Sequence, residues 1–203
     1  MGYYIRVLGT QDRHIHIDEL VDSLKTDGLS AQIKYKQNEH PGKWTILDIA
    51  NDKGEPIVQI ERNPVIEGEL GKEELEEFKE EIQDCKPTSS VKWLAQYFDK
   101  VKVIYAFQLL KAAFDNDNFE IIRSLKTTIW KKTDGIIQAD NEGFSNEDGY
   151  HILWQFSDSV TGEWSCAIRN SLGRWEKFTM DLADTSQRQE FQNGKVPTNA
   201  TRI

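Results

Sequence analysis

The sequence predicts an α+β protein with antiparallel-rich sheets, about four helices and a C-terminal three-stranded meander. Short segments in which apolar and polar residues alternate indicate strands, whereas apolar residues three or four positions apart indicate helices. Connections near the C-terminus are short enough for hairpins, which is typical of antiparallel pairing. A chain of 203 residues is also long enough to bury a hydrophobic core without disulfide or metal staples.

The first segment, 1–66, predicts a small α+β half with four strands and one helix. The expected strands are 3–8, 31–36, 44–49 and 56–60. The helix should begin at Asp18 or a neighbour and end at Asp27 and Gly28, since glycine is common just after a helix C-terminus. A polar turn that ends in Gly54 predicts a hairpin between the last two strands.

The second segment, 67–99, predicts an acidic helical connector. Its first part, EGELGKEELEEFKEEIQD, has nine carboxylates and two lysines. Leu75, Phe78 and Ile82 recur at helical spacing and predict a narrow buried seam on a surface helix. The charge run is either a solvated helix face or a docking face for a basic protein.

The connector continues into a second helix, for which Ser89 or Ser90 is the expected N-terminal cap. The apolar segment 101–110 fits a strand buried on both faces or a buried helix. Its Val, Ile, Tyr and Phe content favours the strand. Asp117 and Glu120, three residues apart, then predict a capping box at the start of another helix.

The third segment, 100–203, predicts a second α+β half that contains the meander. Its strands are expected at 150–156, 164–168 and 174–182. Phe178, Met180 and Leu182 are in phase, but Trp175 is not, so burial of all four would require a β-bulge near residues 176–177. A single domain made of all three segments is the alternative, and the sequence leaves it open.

Composition excludes several classes of function. The net charge is −9 and no Lys/Arg cluster occurs, which argues against direct nucleic-acid binding. No apolar run approaches the length of a membrane span, so no membrane association is expected. The absence of a secretory pattern, together with the isolated Cys85 and Cys166, predicts a cytoplasmic protein with reduced thiols. Neither nucleophile-elbow nor nucleotide-binding glycine motifs are found.

A carboxylate-rich stretch, DNEGFSNED, is the strongest candidate for a binding loop. Asp140, Glu142, Asn146, Glu147 and Asp148 lie among glycines between a predicted helix and a predicted strand. Hard cations prefer such oxygen ligands, and Asp140, Glu142 and Asp148 are the expected set if a metal binds. The spacing departs from the calcium-loop template, and a solvated turn is the simpler interpretation.

A polar row on the following strands predicts a recognition surface beside this loop. His151, Gln155, Ser165 and Arg169 should lie opposite the apolar faces of their strands and therefore be exposed. Together with Asp140 to Asp148 they would form one continuous binding patch.

Taken together, these patterns predict a non-catalytic acidic binding module, of the inhibitor or immunity-protein type, for a basic protein partner and without a cofactor. The analogy depends on size, charge and the lack of catalytic motifs. The alternative is a metal-assisted hydrolase or ligand-binding enzyme centred on the Asp140–Asp148 loop, with a divalent ion as cofactor and His151 as acid or base.

Overall fold

A computed structural model describes residues 2–115 and 117–203, which form five α-helices and eleven strands. The helices are α1 (Ile17–Thr26), α2 (Leu70–Glu81), α3 (Thr88–Phe98), α4 (Asn118–Lys132) and α5 (Thr185–Gln192). The strands are β1 (Tyr3–Gly9), β2 (Gln32–Tyr35), β3 (Ile46–Ala50), β4 (Pro56–Pro64), β5 (Val103–Leu109), β6 (Gly135–Ala139), β7 (Gly143–Ser145), β8 (His151–Trp154), β9 (Glu163–Arg169), β10 (Trp175–Asp181) and β11 (Thr201–Arg202). Mixed helices and strands with mostly antiparallel pairing confirm the coarse fold class.

The chain divides into two compact units. Met1–Glu73 and Val101–Gly135 form unit 1, and Glu74–Lys100 and Ile136–Ile203 form unit 2. The division into the segments 1–66, 67–99 and 100–203, with a single domain as the alternative, stays a prediction. No helix within the described residues has the length and hydropathy that crossing a membrane would require.

Unit 1 contains a sheet with the strand order β1-β5-β4-β3-β2, in which every neighbouring pair is antiparallel. The ambiguous segment 101–110 is the strand β5, as its composition favoured. It lies between β1 and β4, and Val103, Ile104 and Phe107 are fully buried. Side chains on both faces are buried, which explains why its sequence shows no alternation.

The helix α1 begins at Ile17, next to Asp18, as the sequence indicated. Its N-cap is His16: the His16 Nδ1 accepts a hydrogen bond from the Asp18 backbone amide, and the Glu19 side chain accepts one from the His16 backbone amide. The predicted caps of α3 by Ser89 or Ser90 are wrong, since Pro87 occupies that position without a side-chain bond among the described residues. Asp117 precedes α4, again with no side-chain cap bond to the part of the chain that is described.

Unit 2 contains strands in the order β6-β7-β8-β9-β10-β11. The hairpin of β9 and β10 is antiparallel, as the predicted meander requires. Strand β8 instead pairs with β9 in parallel, at His151 and Cys166, so that part of the meander has a different local geometry.

The proposed β-bulge at residues 176–177 is wrong. The register of β9 and β10 is continuous from Trp175 opposite Arg169 to Asp181 opposite Glu163. Trp175 therefore lies on the face opposite Phe178 and contacts Trp93 of α3, with ring centroids 5.1 Å apart. Aromatic contacts therefore form on both faces of β10, so Trp175 can be out of phase with Phe178 without a β-bulge.

Buried apolar side chains anchor the helices α5 and α2. Phe178 and Phe191 are fully buried in the cluster that joins β9, β10 and α5. The predicted seam of α2 is confirmed, because Leu75, Phe78 and Ile82 are all at most 5% exposed. Burial of this seam fixes which face of α2 is turned to solvent.

Candidate functional site

Four glutamates form one exposed face of α2. Glu73, Glu77, Glu80 and Glu81 are all exposed, and at 100° per residue they fall within an arc of about 100°. The buried seam lies on the opposite side of the helix, because its residues are offset from Glu73 by about half a turn. We call these four residues the acidic face.

The acidic face is unfavourable for the helix that carries it. Glu77 is separated by three or four residues from each of the other three glutamates, and such like-charge pairs destabilise a helix by about 0.2–0.5 kcal/mol each. Glu80 and Glu81 also lie in the last turn, where the helix dipole favours cations instead. The face therefore costs stability locally.

The cations of the described residues do not neutralise the acidic face. Lys79 on the same helix is paired instead with Glu76 at 3.2 Å and with Asp99 at 3.4 Å. In residues 2–115 and 117–203, none of the four glutamates of the acidic face forms an ion pair. The negative charge of this face is thus available to a molecule outside the chain.

The predicted binding loop is made of two separate turns. Asp140 and Glu142 belong to the turn between β6 and β7, in which Asn141 has a left-handed backbone (φ 60°). Glu147 and Asp148 belong to the next turn, between β7 and β8. The carboxylates that are close in sequence are therefore divided between two turns.

Asn146 organises the second turn. It is fully buried, and its side-chain oxygen accepts hydrogen bonds from the backbone amides of Asp148 (3.1 Å) and Tyr150 (2.9 Å). The backbone N–H of Asn146 donates in turn to the Tyr150 carbonyl at 2.8 Å. Asn146 thus acts as an internal support of the turn, and its predicted role in ligand binding stays a prediction.

The carboxylates of the second turn dock on β10. Asp148 forms a 2.8 Å ion pair with Lys177, and this hydrogen bond raises the pKa of the lysine. Glu147 accepts a hydrogen bond from the indole N–H of Trp175 at 3.2 Å. Lys177 also lies over the Tyr150 ring, 4.8 Å from its centroid. These contacts give both carboxylates a partner inside the protein.

The predicted metal ligands are not assembled. No group of three or more His, Cys, Asp or Glu side chains suited to a metal ion occurs in the described part of the chain. Asp140, Glu142 and Asp148 therefore do not form a common ligand set in this structure. Their separation follows from the strand β7, which lies between the two turns.

His151 does not belong to an exposed row, so that expectation is wrong. It is 2% exposed and packs against Phe156, Trp164 and Phe191, with ring centroids 4.7, 5.7 and 6.2 Å away. Burial lowers the pKa of His151 to about 3, with a smaller opposing effect from a hydrogen bond to the Leu153 backbone. An imidazole in this environment is neutral and shielded from solvent, which does not suit an acid or base acting on an external substrate.

The remaining members of the predicted row have different neighbours. Gln155 is half-buried and lies 3.8 Å from the sulfur of Cys85, whereas Ser165 is exposed. Arg169 donates to the Gly173 carbonyl at 3.1 Å and lies over the Trp175 ring. Their use as a recognition surface stays a prediction, but the row no longer includes His151.

Sequence patterns did not reveal a pocket beside the first turn of α2. Ile66 and Leu70 are 58% and 56% exposed and line a cavity of about 270 Å³ in unit 1. Arg62 of β4 also lines it. The available signal was the pair of apolar residues on either side of Gly68 within an otherwise charged segment.

A second concavity of unit 1 lies between α1 and α4 and has a volume of about 850 Å³. Hydroxyl groups of Ser23, Thr26 and Ser124 line it, together with charges of both signs. Ligand pockets are usually lined by apolar and aromatic side chains with a few polar groups. The lining of this cleft is the reverse, and we assign no ligand to it.

No protein-family model, curated protein or solved structure matches this chain.

Proposed function

We propose that this chain is a non-catalytic binding module, of the inhibitor or immunity-protein type, that docks its acidic face on a basic protein. The observation that carries the proposal is the uncompensated charge of Glu73, Glu77, Glu80 and Glu81. Like-charge spacing acts against these residues, and the helix dipole acts against Glu80 and Glu81 in the last turn. A cationic partner would convert this local cost into a favourable interaction.

The partner is identified by its chemistry as a protein with a surface of clustered Lys or Arg side chains. Electrostatic complementarity of this kind mainly accelerates association and selects partners. Exposed charges are screened over about 8–10 Å at physiological salt. The affinity should consequently fall steeply as salt concentration increases.

The first probe is a fluorescein-labelled peptide of nine lysines, and its binding is measured by fluorescence anisotropy. The triple variant Glu77→Lys, Glu80→Lys, Glu81→Lys should bind the peptide at least ~10-fold more weakly than the wild type, which corresponds to about 1.4 kcal/mol. The matched control reverses three other exposed carboxylates, Asp22, Asp158 and Glu163, with the same change in net charge.

The control variant should retain the wild-type affinity if the acidic face is the binding surface. Equal losses in both triple variants would show that the peptide responds only to net charge, and the proposal would then be wrong. Failure of the wild type to bind at low salt would reject it as well. Circular dichroism of all three proteins verifies that the fold is unchanged.

A further inference from the structure

The acidic face begins beside two large apolar side chains that are exposed. Leu70 is the first residue of α2 and precedes Glu73 and Glu77 by three and seven positions, so all three lie on the same side of the helix. Ile66 lies four residues before Leu70, in the segment that precedes α2. Exposed apolar side chains next to a charged surface are typical of a binding interface rather than of a solvated helix end.

Ile66 and Leu70 form walls of a defined pocket. The lining residues are Thr45, Arg62, Asn63, Pro64, Ile66, Glu69, Leu70 and Gly71. A side chain at Gly71 would lie 2.6 Å from the carbonyl oxygens of Asn63 and Pro64, so glycine allows α2 to begin directly against the end of β4. The pocket of about 270 Å³ is small for a drug-sized ligand but suits a single large side chain.

Arg62 also lines this pocket. Its side chain is 10% exposed and is paired with Asp12. Its Nε–H is buried from solvent, so it is not within reach of a group bound in the pocket. The exposed apolar side chains and the acidic surroundings are therefore the features that select an occupant.

We propose that the pocket receives a tyrosine side chain of the basic partner, an inference that rests on the proposed function. The ring would pack between Ile66, Pro64 and Leu70, and the hydroxyl group would remain at the mouth of the pocket, in contact with solvent. Tyrosine combines an apolar body with a polar tip and is enriched among residues that dominate binding energy. Glu67, Glu69 and Glu73 provide the negative rim that basic residues on either side of the tyrosine require.

Two nonapeptides test this inference, one with Tyr and one with Ala at the centre of eight lysines. We expect the Tyr peptide to bind wild-type protein about 10-fold more tightly than the Ala peptide, a typical effect for an anchor residue. The double variant Ile66→Ser, Leu70→Ser should remove this advantage and retain the affinity for the Ala peptide. Leu172→Ser is the matched control, because Leu172 is also exposed, at 77%, and lies outside the pocket.

The possible results separate the two proposals. Equal binding of both peptides to the wild type overturns the anchor pocket and leaves the acidic face intact, whereas binding of neither peptide overturns both. A Tyr advantage that survives in the double variant places the anchor elsewhere and overturns the pocket.

A cross-linking experiment gives an independent readout that does not depend on a variant. Benzoylphenylalanine replaces the central tyrosine, and irradiation with the wild-type protein should attach it within residues 62–71. An adduct confined to other segments contradicts the inference.

Discussion

The acidic face of α2 and the acidic loop at residues 140–148 have similar composition but opposite internal bonding. In the loop, Glu147 is bonded to Trp175 and Asp148 to Lys177, both on the neighbouring strand β10. On α2, the four glutamates of the acidic face form no ion pair with any described residue. Carboxylate density alone therefore does not identify a binding surface.

The difference arises from what each segment faces. The loop connects two strands of a sheet, so its side chains lie beside a strand that carries Lys177 and Trp175 at matching positions. Helix α2 buries Leu75, Phe78 and Ile82 and turns its other side to solvent. The loop charges are neutralised within the protein, whereas the charges on α2 are kept at a cost to their own helix, which is the feature that the proposed docking on a basic partner uses.

The largest expected effect concerns the buried imidazole that follows the loop. The pKa of His151 is lowered to about 3 in the folded protein and is 6.5 for an ordinary histidine. Below pH 6.5 the unfolded chain therefore binds one more proton, so the free energy of unfolding should fall as the pH decreases from 6.5 towards 3. At about pH 4.5 this histidine alone should account for a loss of roughly 3 kcal/mol.

Urea denaturation across this pH range measures the effect, with His151→Phe and His14→Phe as paired variants. Removal of His151 should flatten the pH dependence, because the buried titrating group is gone. Removal of His14, which is exposed, should leave it unchanged. If the wild type and His151→Phe showed the same pH dependence, the burial of His151 in a neutral form would be contradicted.

A smaller effect tests the comparison itself, through neutralisation of each acidic region. Glu77→Gln with Glu81→Gln removes the three like-charge pairs within the acidic face and should raise the free energy of unfolding by about 1 kcal/mol. Asp148→Asn removes the ion pair with Lys177 and should lower it slightly. Urea denaturation at low salt measures both changes, and the gain on α2 should disappear at about 1 M salt.

A higher free energy of unfolding in the α2 variant and a lower one in Asp148→Asn would support the difference between an internally bonded loop and an uncompensated helix face. A loss of stability on α2 comparable to that in the loop would mean that the glutamates have internal partners. The argument for an external partner would then fail.

Local patterns predicted the elements well because their causes are local. The seam of α2 and the buried strand β5 were both evident in the sequence, since burial on one stripe or on both faces leaves a direct imprint on residue order. His151 was misplaced because strict alternation assumes that one face of a strand is solvated. In the structure, aromatic rings from β9 and α5 cover that face, and these contacts are distant in sequence.

The candidate sites were harder to predict, since they depend on which side chains become neighbours. Lys177 lies almost thirty residues from Asp148, and no local pattern connects them. Arg62 and Leu70 line the same pocket because Gly71 allows α2 to begin directly against the end of β4. The charge of the helix was visible in the sequence, but the lack of internal compensation required the fold.

The smallest expected effect is the response to divalent ions. The enzymatic alternative requires Asp140, Glu142 and Asp148 to share an ion, but they lie on two turns and Asp148 is already paired with Lys177. We therefore expect no saturable shift in the melting temperature with Mg²⁺, Mn²⁺, Ca²⁺ or Zn²⁺ that Asp140→Asn abolishes. An ion at about 100 times its dissociation constant would stabilise the fold by about 2.7 kcal/mol, enough for a shift of several degrees. Such a shift, lost in Asp140→Asn, would mean that the turns rearrange around a cation, and the loop rather than α2 would become the functional site.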